Sequence, residues 1–201
     1  MNGQKQKGGI YMKKFVVTHE MMERQDGNRV GGYSKHWIYL TNLRAYREGV
    51  LLGVYLHLPF DKKDLEEAYK TIYVGNEFID GNGESYEEYF ITDYDAPFPI
   101  GEYDFPQSLA EKYDKLREYM SYPEEVVRYI ADFDGKEVNI IHLSGSENLS
   151  KHEKVGYSLT ALGYYEVPRN LLSYIDYEKL GKDFLINSSG DVVGDYFIEI
   201  N

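Results

Sequence analysis

The 201-residue chain has no cysteine and one tryptophan, and from Thr71 to Ala110 it has no lysine, arginine or histidine. Without thiols there is no disulfide framework, zinc–thiolate site, iron–sulfur cluster or cysteine nucleophile. Long apolar runs are missing as well. None approaches the roughly 20 residues that span a bilayer, and none of signal-peptide length follows Lys5, Lys7, Lys13 and Lys14. The expectation is a cytoplasmic protein with no membrane partner. Catalytic signatures are equally scarce. His19-Glu20 lacks the second histidine of a zincin, and His36, His57, His142 and His152 fall in no ligand spacing. Gly81-Asn82-Gly83 has no third glycine, and Ser144-Gly145-Ser146 is not a nucleophile elbow. The run from Asp80 to Glu88 places oxygen-bearing residues as a calcium loop would. It has Ser85 where that loop needs glycine and Ile91 where it needs a bidentate glutamate. No cofactor and no metal are expected. A carboxylate-dependent hydrolase needs no sequence signature, so that class stays open behind the binding functions.

What the chain has in excess is acid: 34 Asp and Glu against 22 Lys and Arg, a net charge of -12. Residues 1–60 carry nine bases and four acids, whereas residues 61–201 carry 13 bases and 30 acids. The basic-free stretch holds Glu77, Asp80, Glu84, Glu87, Glu88, Asp93, Asp95, Glu102 and Asp104 among tyrosines and phenylalanines. Around it lie Asp61, Asp64, Glu66 and Glu67 on one side, and Glu111, Asp114, Glu118, Glu124, Glu125, Asp132 and Asp134 on the other. Together these 20 acids form the candidate surface. Such a surface is repelled by nucleic acid and anionic membrane and is steered toward basic partners. Plain solubility is the alternative reading, and any single acid can be a solvated residue of no further consequence.

Patterning reads as α+β, since helices and strands mix without regular βαβ alternation. Residues 1–36 read as an N-terminal arm, mobile, with a short strand at Phe15 to Thr18. Residues 37–106 form an N-terminal α+β module: a hairpin of Trp37 to Leu43 and Val50 to Leu58 across an Arg44-to-Gly49 turn, then a helix capped by Asp61. Asn76 to Ser85 reads as a loop and Tyr86 to Tyr94 as a strand. In extended backbone Asp93 and Asp95 share a face and Phe90 points away. The prolines at 97, 99 and 106 mark a connector between subdomains. Residues 107–135 form a central helical module, opened by the capping box Ser108 to Glu111 and containing a second helix from Ser121 to Glu124 onward. Residues 136–201 form a C-terminal α+β module with helices through Leu149 to Tyr164 and from Pro168, and with Phe184 to Asn187 and Tyr196 to Ile200 as a terminal hairpin.

Three segments carry a family resemblance. Tyr39-Leu-Thr-Asn42-Leu43-Arg-Ala-Tyr46-Arg-Glu48-Gly49-Val-Leu-Leu-Gly53, followed by Leu58-Pro59, resembles the opening of the ArdA-type antirestriction proteins. Glu87 to Phe98 resembles that family's central acidic segment. Leu171-Leu172-Ser-Tyr174-Ile175-Asp176-Tyr177-Glu-Lys-Leu180-Gly181-Lys182-Asp183-Phe184 is similar to its antirestriction motif, with Lys182 where the family usually has arginine and Phe184 where it usually has leucine. The matches run in family order across about residues 37–201. The resemblance implies an elongated chain of three small modules, homodimeric through its C-terminal part. It implies carboxylates that imitate bent B-form DNA and occupy the DNA-binding groove of type I restriction-modification enzymes, blocking restriction and modification without catalysis. Under that reading Leu171, Leu172, Ile175 and Leu180 are sized for a packed or dimer-forming surface. The competing partner is another basic DNA-binding protein, such as a repressor.

Overall fold

Two β-rich segments around Asn42 set the frame of the first half, because alternating apolar residues on each give one face that must be covered. A computed structural model of the chain describes residues 13–23, 27–133, 136–145 and 147–201. It divides into two units between Lys115 and Leu116. The first unit contains β1 (Phe15–Val16), α1 (His19–Glu23), β2 (Asn28–Gly31), β3 (Trp37–Asn42), α2 (Leu43–Arg47), β4 (Gly53–His57), α3 (Lys62–Thr71), β5 (Gly75–Ile79), β6 (Ser85–Tyr86), β7 (Tyr89–Asp95) and α4 (Pro106–Leu116). The second contains α5 (Glu124–Ala131), β8 (Val138–His142), α6 (Lys151–Ala161), α7 (Tyr177–Asn187), β9 (Gly190–Val193) and β10 (Tyr196–Ile200). Short helices and three small mixed or antiparallel sheets make the chain α+β.

The four-stranded sheet has the order β2-β4-β3-β7, with β2 parallel to β4 and the other pairs antiparallel. One face presents Ile38, Leu40, Val54 and Leu56, all fully buried, and α3 packs over β2 and β4 with Leu65 and Ala68 inward. Each fully buried leucine or isoleucine contributes about 1.5–3 kcal/mol, so this layer is the stable centre of the unit. On the opposite face the rings of Trp37 and Tyr39 meet Tyr55 edge-on, with centroids 4.9 and 4.6 Å apart. Gly53 makes room for this packing, because a Cβ there would lie 2.2 Å from the Tyr39 ring and would have to displace it. A second sheet, β1-β5-β6, sits in the same unit.

Several sequence expectations change. Residues 43–47 are a helix rather than a turn: Asn42, fully buried, caps it by accepting the Ala45 N–H at 2.9 Å and donates to the Ile72 carbonyl at 2.9 Å. The glycine-punctuated stretch read as a loop from Asn76 contains β5 and β6, because Phe78 and Tyr86 are buried and override the local turn signals. Within residues 1–36, read as an arm, β1 pairs with β5, and β2 adds an edge to the main sheet by pairing with β4. Residues 1–12 and 24–26 lie outside the described residues. The proline-rich stretch is not a connector between units. Ala96, Phe98 and Ile100 are buried within the first unit, and the Ile91 N–H donates to the Glu102 carbonyl at 2.8 Å. α4 starts at Pro106, so Ser108 lies inside the helix and does not cap it.

In the second unit β8-β10-β9 form an antiparallel sheet covered by α6, and Ile141, Leu143, Val155, Leu159 and Phe197 form its core with Phe184, Leu185 and Val192 against them. Phe184 to Asn187 lies on α7 and not in a strand. The terminal hairpin is β9 and β10, turning at Gly194-Asp195. Two glycines set the crossing of α6 on α7: a Cβ on Gly156 would stand 2.2 Å from the Tyr177 carbonyl, and one on Gly181 would stand 1.9 Å from the His152 carbonyl.

Candidate functional site

Where each acid sits decides whether its charge stays available. Asp61 accepts the Lys63 and Asp64 N–H groups at 2.7 and 2.9 Å, while Asp64 returns a bond to the Asp61 N–H at 2.9 Å. This reciprocal cap satisfies the first turn of α3, and the backbone N–H groups from Asp64 and Lys63 hold the Asp61 carboxyl below its ordinary range. Glu66 and Glu67 are exposed on the same helix, Glu66 with Lys62 at 3.8 Å.

Asp80 is also engaged by the fold. Its Oδ1 accepts N–H groups of Asn82 and Glu84 at 2.8 and 2.9 Å, and its Oδ2 takes Arg44 Nη2 at 2.5 Å. The Glu84 N–H, then the Asn82 N–H and Arg44, lower its pKa despite some desolvation. The calcium-like spacing of this loop is therefore an Arg44-anchored turn. Burial pulls the Arg44 guanidinium down, but its bonds to Asp80 and Glu48 outweigh this and raise it. Its carbon lies 4.8 Å above the Tyr86 ring. Glu88 faces Arg47 at 3.3 Å. Arg44, Arg47, Ser85, Glu87 and Glu88 line an open recess of about 440 Å³. Among the described residues no group of three or more His, Asp or Glu side chains could hold a metal ion.

Farther along, the acids face outward. β7 is an edge strand, and Thr92, Asp93, Tyr94 and Asp95 are all exposed. Asp93 lies opposite Tyr39 and Asp95 opposite Trp37, so the two carboxylates share one face as alternation requires. A bulge at Thr92 then reverses the parity below it. Phe90 pairs with Thr41 and lies on that same face, contrary to simple alternation. Edge carboxylates also discourage strand-to-strand association. Glu84, Glu87, Glu102, Asp104, Glu111 and Asp114 are exposed, and Glu77 is half-buried. Lys112 turns to the Phe98 ring, 4.9 Å from its centroid. In the second unit Glu118, Glu124, Glu125 and Asp132 are exposed, with Glu124 bound to Arg128 at 2.7 Å. Asp134 lies outside the described residues.

The motif from Leu171 to Phe184 divides in two. Asp176 caps α7 by accepting the Lys179 N–H at 3.0 Å, Tyr177 donates its hydroxyl to the Leu172 carbonyl at 3.2 Å, Gly181 is buried in the helix crossing, and Phe184 meets Phe197 edge-on at 5.1 Å. Leu171, Tyr174 and Asp183 are exposed, Tyr174 at 84%, while Leu172, Ile175 and Leu180 are half-buried. Within the motif, Glu178 takes Ser150 and His152, and those two bonds hold its carboxyl low. Lys151 and Lys154 bind Asp191 and Asp195 at 3.0 and 2.7 Å and lower both carboxyls.

Sequence reasoning missed the bases Arg44 and Arg47 as partners of Asp80 and Glu88, for pairs about 40 positions apart leave no local signal. It also missed Tyr103 and Phe105, 70% and 71% exposed among the acids. The available clue was their alternation with Glu102 and Asp104 inside a proline-flanked run. No helix among the described residues is long and apolar enough to cross a membrane. No curated protein matches the chain. A protein family described as antirestriction protein (ArdA) matches residues 38–199, from β3 through β10 and across all three resembling segments, and the chain belongs to that family.

Proposed function

We propose that this antirestriction protein works as a DNA decoy: its carboxylates occupy the DNA-binding groove of type I restriction-modification enzymes and exclude DNA, blocking restriction and modification. The observation that carries the reading is the stretch from Thr71 to Ala110, which has nine acids and no base of its own; Arg44 and Arg47 pair with Asp80 and Glu88, and most of the carboxylates are exposed. Side chains two apart on a strand repeat at about 6.6–6.8 Å. One DNA strand carries a phosphate about every 3.4 Å of axis, so Asp93 and Asp95 fall near a two-phosphate step. The decoy needs charge held in place and no reacting group. The same reading makes the protein a homodimer, joined through the exposed side of the C-terminal motif at Leu171 and Tyr174, with the acids of both copies adding to one field. Regions 37–106, 107–135 and 136–201 then act as successive modules of the decoy.

The test is competition. Purified native protein added to a type I restriction-modification enzyme on labelled DNA displaces the DNA, and less effectively as salt rises, because both partners are held by charge. DNA binding that stays unchanged across several such enzymes refutes the reading.

A further inference from the structure

The turn from Gly101 to Phe105 presents two aromatic rings where the charge reading needs none. Tyr103 and Phe105 are 70% and 71% exposed, and they alternate with Glu102 and Asp104, both also exposed. Two large exposed rings within three residues offer apolar surface for a partner to bury. The turn beneath them is fixed. The Gly101 N–H donates to Asp104 Oδ2 at 2.8 Å, the Asp104 N–H to the Gly101 carbonyl at 3.2 Å, and the Ile91 N–H to the Glu102 carbonyl at 2.8 Å. Ile100 and Pro106 are buried on either side. The backbone that carries the rings is therefore set by the turn, so binding orders the two side chains rather than the loop.

The charge around them says what would cover them. No base occurs between residues 71 and 110, so a partner approaching this turn meets carboxylates and ring faces together. Two buried rings of the unit carry its own cations, Arg44 over Tyr86 and Lys112 over Phe98, and Arg29 lies 5.7 Å from the centroid of the exposed Tyr33. Among the described residues no cation lies over Tyr103 or Phe105.

We propose that Tyr103 and Phe105 are the anchors of the acidic surface, stacking on arginine and lysine side chains of a cationic partner that the neighbouring carboxylates attract. The inference rests on the decoy reading and deepens it: carboxylates steer the encounter and set its salt dependence, while the two rings supply affinity that salt does not screen. Simple charge imitation predicts no role for either ring.

The experiment measures competition with labelled DNA on a type I restriction-modification enzyme over a salt series, using the full-length protein. Three variants are compared with native: Y103A/F105A, Y103L/F105L and D93N/D95N, each checked for an unchanged melting temperature. The alanine pair binds about tenfold or more weakly at every salt concentration with an unchanged salt slope, the leucine pair loses affinity likewise, and the asparagine pair flattens the slope. An alanine pair that competes as well as native overturns the anchor proposal while leaving the decoy reading intact. A leucine pair that matches native overturns the stacking on cations. Native protein that fails to displace DNA overturns the decoy reading and the proposal with it.

Discussion

Asp93 and Asp95 stand exposed on an edge strand, where Asp93 accepts the N–H of its neighbour Tyr94 at 2.8 Å, whereas Asp176, also exposed, gives its carboxylate to the Lys179 N–H and so caps the start of α7. Both belong to segments that resemble the family. In the acidic segment from Glu87 to Phe98, Phe90, Ile91, Ala96 and Phe98 are buried while Glu87, Glu88, Asp93 and Asp95 are exposed, so under the decoy reading its contribution is a field. The motif from Leu171 to Phe184 turns its glycine, one tyrosine hydroxyl and its phenylalanine toward its own unit, so much of its sequence is explained by folding. The motif and the charge pattern thus ask different questions: one is tested by stability, the other by binding.

The sharpest separation comes from Gly181. A Cβ there meets the His152 carbonyl at 1.9 Å and the Gly156 nitrogen at 2.8 Å, so G181L forces α7 off α6. It should cost about 1–3 kcal/mol or more, read as a lower urea midpoint for the second unit. Native-like stability in G181L would remove the claim that the motif is held by packing. The converse variant, D93N/D95N/E102Q, should leave the melting temperature within a degree or two and weaken DNA competition about tenfold, with partial loss as each acid is removed. All-or-none loss from a single amide would instead favour a carboxylate with a chemical role. Smaller still, D176A removes a helix cap and should cost about 1 kcal/mol, with competition at a stabilising temperature unchanged.

Acid titration gives the mildest test. The Asp80 carboxyl is held below its ordinary value near 3.8 by the Glu84 and Asn82 N–H groups and Arg44. A depressed folded pKa contributes stability that is complete above the ordinary value and is lost as pH falls through the folded one. Native protein should therefore lose melting temperature below about pH 4, and D80N, lacking that carboxylate, should show a shallower fall over the same interval. Parallel curves would deny Asp80 its place in the turn.

Strong local patterns were legible in the sequence. The β3–β4 pair, the Asp61 cap and the outward face of Asp93 and Asp95 follow from alternation and capping chemistry that residues within a few positions decide. The helix at Leu43 was hidden because its cap, Asn42, is secured by the Ile72 carbonyl, 30 positions away. β5 and β6 were hidden by Gly81, Gly83 and Asn82, whose turn signals are real but belong only to the tip between the strands. Phe184 looked like a strand residue because Leu185 and Ile186 follow it just before the Ser189-Gly190-Asp191 turn signal, whereas the stretch is the last part of α7, which starts at the Asp176 cap. Of the acidic surface, composition gave the residues. Which of them are tied to Arg44, Arg47, Lys151 or Lys154 depends on contacts that no local spacing encodes.

The central claim, that this chain competes with DNA by presenting carboxylates in the place of phosphates, is tested most directly by its affinity for a purified type I restriction-modification enzyme as a function of salt, with and without saturating DNA. A decoy binds with an affinity that falls steeply with salt and is abolished by bound DNA. Binding that persists beside DNA, or that ignores salt, would contradict that claim.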